Sequence, residues 1–293
     1  MTGEVDLHIH SSRSSDGDFT PFHIIQLTKE TKLRAISITD HDTVAAYPEA
    51  LELGEEAGIE VIPSIELTTL FDDREFHLLL PFVNWKKKIV SEIIAGIAKK
   101  RVEEAKDRVH KLQEIGFDIS WKEVARRTKS MPPLGVVIAQ ILLEKGERGK
   151  DTAFEKYFEG TNRLFAPYLF YRDYFMEGKP ASVPRRNVSL LEVLKLVPKT
   201  EGVPVLAHPG AYFQQVKKED LILLKENGLE GLEVYTSYHD SEQTNFYKET
   251  AEELDLVVTA GSDFHGRIKP HIRFGSLDKG DYSMVESLRS RRR

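Results

Sequence analysis

Val5-Asp6-Leu7-His8-Ile9-His10, near the amino end, and Val257-Val258-Thr259-Ala260-Gly261-Ser262-Asp263-Phe264-His265, near the carboxyl end, decide how this chain is read. Each is a short apolar run that finishes on two metal-ligand residue types two positions apart. Strand side chains alternate between faces, so His8 and His10 project the same way and can share one ion, as can Asp263 and His265. Five further runs, 35–40, 61–68, 76–81, 203–208 and 231–235, also end in or lead into His, Asp or Glu. Seven strands with ligands gathered at their carboxyl ends predict an α/β metalloenzyme barrel.

Between the runs the pattern turns helical. Residues 20–32, with Thr20 ahead of Pro21 as a cap, and 43–57, closed by Gly58, connect the first three runs in βαβ fashion. The fourth run follows an Asp72-Asp73-Arg74 turn. The rhythm then breaks, because the stretch before the run at 203 is far longer than an ordinary connection. Residues 86–115 carry apolar positions at helical spacing, and 136–144 form a shorter helix-compatible stretch. The expectation is a barrel from 1–85 and 203–293, with 86–202 inserted as a helical cap subdomain. Alternation resumes with helices near 190–197, 217–226 and 242–254.

Composition narrows the function. The 293 residues are 40% hydrophobic and 30% charged, and no apolar stretch reaches the roughly 20 residues that span a bilayer. No membrane partner is expected, and without a signal-like amino end a cytoplasmic location is the expectation. The absence of cysteine excludes disulfides and thiolate sites, leaving imidazole and carboxylate as metal ligands. A net charge of −6 argues against duplex DNA as a partner. The basic end, Arg289-Ser290-Arg291-Arg292-Arg293, is expected to be a solvated, disordered tail.

The candidate ligands follow the strand ends. Asp16, in Ser14-Ser15-Asp16-Gly17, reads either as a ligand to a second ion or as an Asp-Gly turn. In Asp40-His41-Asp42, alternation lets His41 face inward, and the flanking carboxylates are expected to orient imidazoles. Glu66 stands in an apolar run, where an unpaired carboxylate costs several kcal/mol, on the order of the desolvation penalty of a buried ion, unless a metal offsets it. His77, His208, Asp263 and His265 complete the set. His23, His110 and His271 read as surface or loop residues.

Taken in order, His8-Ile9-His10, Thr39-Asp40-His41-Asp42, Glu66, His77, Ala207-His208-Pro209-Gly210 and Gly261-Ser262-Asp263-Phe264-His265 resemble the PHP (polymerase and histidinol phosphatase) superfamily of metal-dependent phosphoesterases. That resemblance implies a distorted barrel of about seven parallel strands, with ligands at the carboxyl end. Size and insertion are similar to the branch of nucleoside 3',5'-bisphosphate phosphatases and 5'-3' exoribonucleases. Carried over, it implies three ion sites: His8, His10, Glu66 and Asp263; Asp16, His41 and His265; and Glu66, His77 and His208, with Glu66 bridging. That branch carries an Arg and a His in a Gly-Arg-Pro-His type motif at the inserted helix. Here the stretch reads Pro132-Pro133-Leu134-Gly135-Val136-Val137-Ile138-Ala139, with neither, so the resemblance carries phosphoester hydrolysis and leaves the nucleotide unassigned.

The implied activity is hydrolysis of phosphate monoesters, of nucleotides or short RNA ends, by a metal-activated hydroxide in a trinuclear site. Mixed nitrogen and oxygen ligands suit two or three Mn, Fe or Zn ions, which lower the pKa of a bound water. The substrate is then a small phosphorylated molecule, a nucleotide or the end of a short single-stranded RNA. Arg13, Arg185 and Arg186 are candidate phosphate clamps. His239, after the run at 231–235, is a candidate catalytic group that binds phosphate or protonates the leaving oxygen. A histidinol-phosphate or sugar-phosphate phosphatase is an alternative, as is a silent PHP-fold binding or regulatory module. Amidohydrolase chemistry is disfavoured, because no strand-end lysine is found. The aromatic residues of 154–175 are expected to form the insertion's own core, with one or two rings stacking on a substrate base.

Overall fold

A computed structural model describes residues 3–129, 131–211 and 215–292. The chain divides into two compact units, one made of 3–97 and 188–292 and the other of 98–187. Among the described residues the first unit holds nine strands: β1 (Val5–Ile9), β2 (Ala35–Ile38), β3 (Glu60–Val61), β4 (Glu66–Phe71), β5 (Arg74–Leu79), β6 (Val188–Ser189), β7 (Val205–Leu206), β8 (Gly231–Thr236) and β9 (Val257–Gly261). They pair as a sheet of order β1-β2-β3 and a sheet of order β6-β4-β5-β7-β8-β9. Isolated parallel bridges join Ile9 to Phe264 and His41 to Glu66, and so tie the first sheet to the second at both places where ligands cluster.

The expected all-parallel order is corrected at β5, which runs antiparallel to both β4 and β7. The cause is the connection. Asp72 and Asp73, with φ of 51° and 56°, form a two-residue hairpin turn, and so short a link cannot return a strand in parallel. The run at 61–68 is also two strands, β3 and β4. It breaks across Pro63, which has no N–H for a ladder, and Glu66 becomes the first residue of β4.

The helices are α1 (Pro21–Thr31), α2 (Tyr47–Ala57), α3 (Lys88–Glu114), α4 (Trp121–Arg127), α5 (Gly135–Gly149), α6 (Asn162–Tyr174), α7 (Leu190–Leu196), α8 (Lys218–Glu226), α9 (Ser241–Glu253) and α10 (Ser283–Ser290). The Thr20 hydroxyl accepts the His23 N–H at 3.3 Å, and Gly58 closes α2 at φ 68°. The basic end differs from the expected free tail. Val285 and Leu288 are buried from α10, Arg289 pairs with Glu60, and Arg291 pairs with Asp255 and Glu230. An amphipathic helix with acidic neighbours orders residues that the sequence showed only as a charge run; Arg293 lies outside the described residues.

Three apolar clusters fill the first unit. Leu78, Leu206 and Leu232 belong to one, Ile9, Ile36 and Ile38 to another, and Val5, Ala35 and Val205 to the third. The second unit has its own core of Ile138, Leu142, Phe154, Tyr157, Phe170 and Phe175, with Phe158, Tyr171 and Tyr174 packed against it. Most of the aromatic residues of 154–175 are therefore structural. Among the described residues no helix is long and apolar enough to cross a membrane.

Candidate metal centre

Backbone pairing delivers the ligands. The His10 N–H donates to the Phe264 carbonyl at 2.8 Å, the Asp263 N–H to His8 at 2.9 Å, and the Asp42 N–H to Glu66 at 2.9 Å. The ends of β1, β2 and β9 and the start of β4 are thereby held side by side. Asp263, at φ 58°, takes a left-handed backbone that a non-glycine residue adopts at a cost of about 1–3 kcal/mol. Such strain is characteristic of functional positions.

Glu66 is the hub and is fully buried. Its Oε2 lies 3.0 Å from His10 Nε2, 3.2 Å from His8 Nε2 and 3.3 Å from His41 Nε2. Its Oε1 lies 2.8 Å from His77 Nδ1 and 3.2 Å from His208 Nε2. Asp263 Oδ1 is 3.2 Å from His8 Nε2 and 3.1 Å from His10 Nε2. Asp16 Oδ2 is 3.0 Å from His265 Nε2 and 3.5 Å from His41 Nε2. Ligand atoms within 4.8 Å of one another form three groups: His8, His10, Glu66 and Asp263; His10, Asp16, His41 and His265; and His41, Glu66 and His77. His10 and His41 join groups to which the carry-over did not assign them, and His208 faces the other oxygen of Glu66.

Charge explains why a cation belongs here. Burial opposes charge on every member, yet Glu66, Asp16 and Asp263 stay well below the usual carboxylate range because imidazoles, and for Asp263 foremost Lys269, surround them. Burial likewise opposes charge on the rings; it holds His41 well below its ordinary value, but on His8, His10 and His77 the carboxylates outweigh it. Glu233, Glu66 and Asp263 hold His8 well above its ordinary value, His10 is raised to about 9, and Glu66 lifts His77 to about 10. Burial, with His10 and Lys269 nearby, pulls His265 down to about 4. Protons shared among the rings balance the carboxylates, and a divalent ion would compete for the same lone pairs. The donor set fits that ion: Glu66 Oε2 is buried, makes no hydrogen bond and faces the Nε2 atoms of His8, His10 and His41.

The flanking aspartates do other work than expected. Asp40 accepts the Ser11 N–H at 2.7 Å and the Ser11 hydroxyl at 2.6 Å, so it fixes the first ligand loop rather than an imidazole. Asp42 accepts the Thr68 N–H at 2.9 Å and the Thr68 hydroxyl at 3.0 Å. A carboxylate that lies against the far nitrogen of a candidate ligand is Glu233, 3.0 Å from His8 Nδ1. It carried the same signal as Glu66, a lone acid in an apolar strand, and went unread. Lys269, buried beside Asp263 Oδ2, also bonds the Tyr238 hydroxyl at 2.8 Å, and that hydroxyl donates to the same carboxylate oxygen. It is the lysine that strand-end reading missed, because it sits in a loop. It pairs with Asp263 rather than bridging ions.

The substrate candidates fare differently. Arg13 is half exposed and paired with Glu49 at 2.7 Å. In the second unit Arg186 pairs with Asp107 at 2.7 Å, while Arg185 keeps a buried Nη1 that makes no hydrogen bond. His239, the candidate acid or phosphate ligand, has both ring nitrogens engaged within the protein. Its Nδ1 lies 2.8 Å from the Val234 carbonyl, and its Nε2 accepts the Gly210 N–H at 3.0 Å. Burial lowers its pKa, so the neutral ring braces the turn that follows His208 with both nitrogens engaged.

A buried cluster of imidazoles and carboxylates around one shared glutamate, at the ends of an α/β fold, is the site of a metal-dependent hydrolase. Residues 6–269 match the PHP domain, and the chain belongs to that family of metal-dependent phosphoesterases. It is 26% identical to a 5'-3' exoribonuclease of Haemophilus influenzae over 90% of this chain and 91% of that one. It is 27% identical to a phosphoribosyl 1,2-cyclic phosphate 1,2-diphosphodiesterase of Eggerthella lenta over 92% and 97%. Its fold superposes on a candidate metal-dependent phosphoesterase from Bifidobacterium adolescentis with a TM-score of 0.82 and 27% identity, covering 99% of this chain and 97% of that one.

Proposed function

We propose that this chain hydrolyses phosphoesters attached to ribose, as mononucleotides or as the ends of short single-stranded RNA, using two or three Mn, Fe or Zn ions. The observation that carries the reading is the arrangement of His8, His10, His41, His77 and His208 around the two oxygens of Glu66. Similarity to an exoribonuclease and to a phosphoribosyl cyclic phosphate diesterase supports the ribose-linked substrate, since both names describe phosphoester cleavage next to ribose.

His8, His10, Glu66 and Asp263 would hold one ion, Asp16, His41 and His265 a second, and His77 and His208 would complete a third position on Glu66. Bound ions would acidify water and neutralise phosphate charge. The protein's part is to keep the carboxylates ionised in a buried site. Asp40 and Asp42 fix the ligand loops, and Lys269 with Tyr238 holds the outer oxygen of Asp263 so that Oδ1 faces the imidazoles.

Manganese-loaded protein should be offered mononucleotides, nucleoside bisphosphates, a ribose cyclic phosphate, non-ribose sugar phosphates and short 5'-phosphorylated RNA. Release of phosphate or nucleotide from ribose-linked members, abolished by chelation, is the expected result. Turnover confined to the non-ribose sugar phosphates, or no turnover with metal bound, would overturn the proposal.

A further inference from the structure

Glu233 lies on β8, fully buried, and a ring nitrogen and a backbone N–H converge on its two carboxylate oxygens. Oε1 is 3.0 Å from His8 Nδ1, and Oε2 accepts the His208 backbone N–H at 2.8 Å. His8 Nε2 meanwhile faces Glu66 and Asp263, each at 3.2 Å. The approach has been cleared on the opposite side: a Cβ at Gly261 would stand 2.3 Å from Glu233 Oε1 and 2.2 Å from His8 Cβ. Only glycine leaves room there for the carboxylate to reach the ring.

We propose that Glu233 is a positioning residue that fixes the proton of His8 on Nδ1 and ties that ring to the His208 turn, so that one carboxylate aligns ligands in two of the ion positions. The inference rests on the metal-centre reading above. An ionised carboxylate can only accept, so beside it the His8 Nδ1 must donate, while the His208 N–H fills the second oxygen. Glutamine offers one acceptor. With its amide nitrogen toward His8 the ring must accept at Nδ1, and the proton moves to Nε2, the nitrogen that a metal requires. With the amide reversed, its N–H groups oppose the His208 N–H. Either way the substitution affects ligand alignment at nearly constant volume.

The test is a zinc titration of the full chain against a competing chelator, for wild type, Glu233→Gln and Glu233→Asp. Long-range imidazole NMR of the zinc-loaded proteins would report the protonated nitrogen of His8. Glu233→Gln should weaken zinc binding by about 10–100-fold, the range for outer-shell partners of ligating histidines, and should move or remove the His8 Nδ1–H signal. Glu233→Asp keeps two acceptors and should recover the Nδ1–H form. Circular dichroism melts of the metal-free variants would identify any loss of fold. Wild type that binds zinc beside a folded Glu233→Gln with unchanged affinity and tautomer overturns this inference alone. Equal weakening by both variants with His8 still protonated on Nδ1 reduces Glu233 to packing and also overturns it. Wild type that takes up no zinc overturns the metal-centre reading and this inference with it.

Discussion

Both units bury charge, and they neutralise it in opposite ways. In the second unit Arg108 pairs with Glu104 at 2.7 Å, one turn apart on α3, and the pair sits beside a core of aromatic rings. A guanidinium cannot lose its proton, so its charge cannot be exchanged for an ion. In the first unit the counter-groups to Asp16, Glu66 and Asp263 are mostly imidazoles, whose protons can be exchanged for an ion. Permanent charge makes structure, and exchangeable charge makes a site.

The sharpest way to break this contrast is Glu66→Gln. Removing one negative charge from between the rings should lower metal affinity and kcat by more than about a hundredfold, the upper end of what even an outer-shell partner supplies. Near-normal turnover with full metal content would mean that Glu66 is a buried structural acid like Glu104. A smaller contrast lies within the second unit. Phe170 is fully buried and Phe165 is 40% exposed. Phe170→Ala should cost about 3–5 kcal/mol in denaturant unfolding of the full chain. Phe165→Ala should stay within about 0.5 kcal/mol. Raised KM for a nucleotide with Phe165→Ala, and no change for a small generic phosphate ester, would give this unit a share in choosing the leaving group; equal effects would deny it.

The sequence made much of the site legible because strand periodicity and ligand chemistry coincide. His8 and His10 show both signals at once, and Glu66 is conspicuous as an acid among apolar neighbours. Glu233 shows the same signal inside its own run, but the family resemblance assigns it to no ion. The reversal of β5 was written in the Asp72-Asp73 turn, whose length alone forbids a parallel return. Lys269 and the bracing of Asp40 on Ser11 were not legible, because loop side chains find partners through tertiary contacts that no local period encodes. The partners of His239 were hidden for a related reason: its place just past a strand end does not show that its two nitrogens meet Val234 and Gly210.

Calorimetric titration of the metal-free protein with manganese at pH 8, repeated in buffers of different ionisation enthalpy, tests the exchange of protons for ions most directly. His10 and His77, raised to about 9 and about 10, are still protonated at that pH, so each ion that takes their lone pairs must expel a proton. Affinity should accordingly climb as pH rises toward about 9 and about 10, where these two rings lose their protons, and fall as pH drops. The expected result is at least two ions bound per chain with net proton release. Fewer than one ion, or binding whose heat is the same in every buffer, would contradict a metal centre built from exchangeable charge.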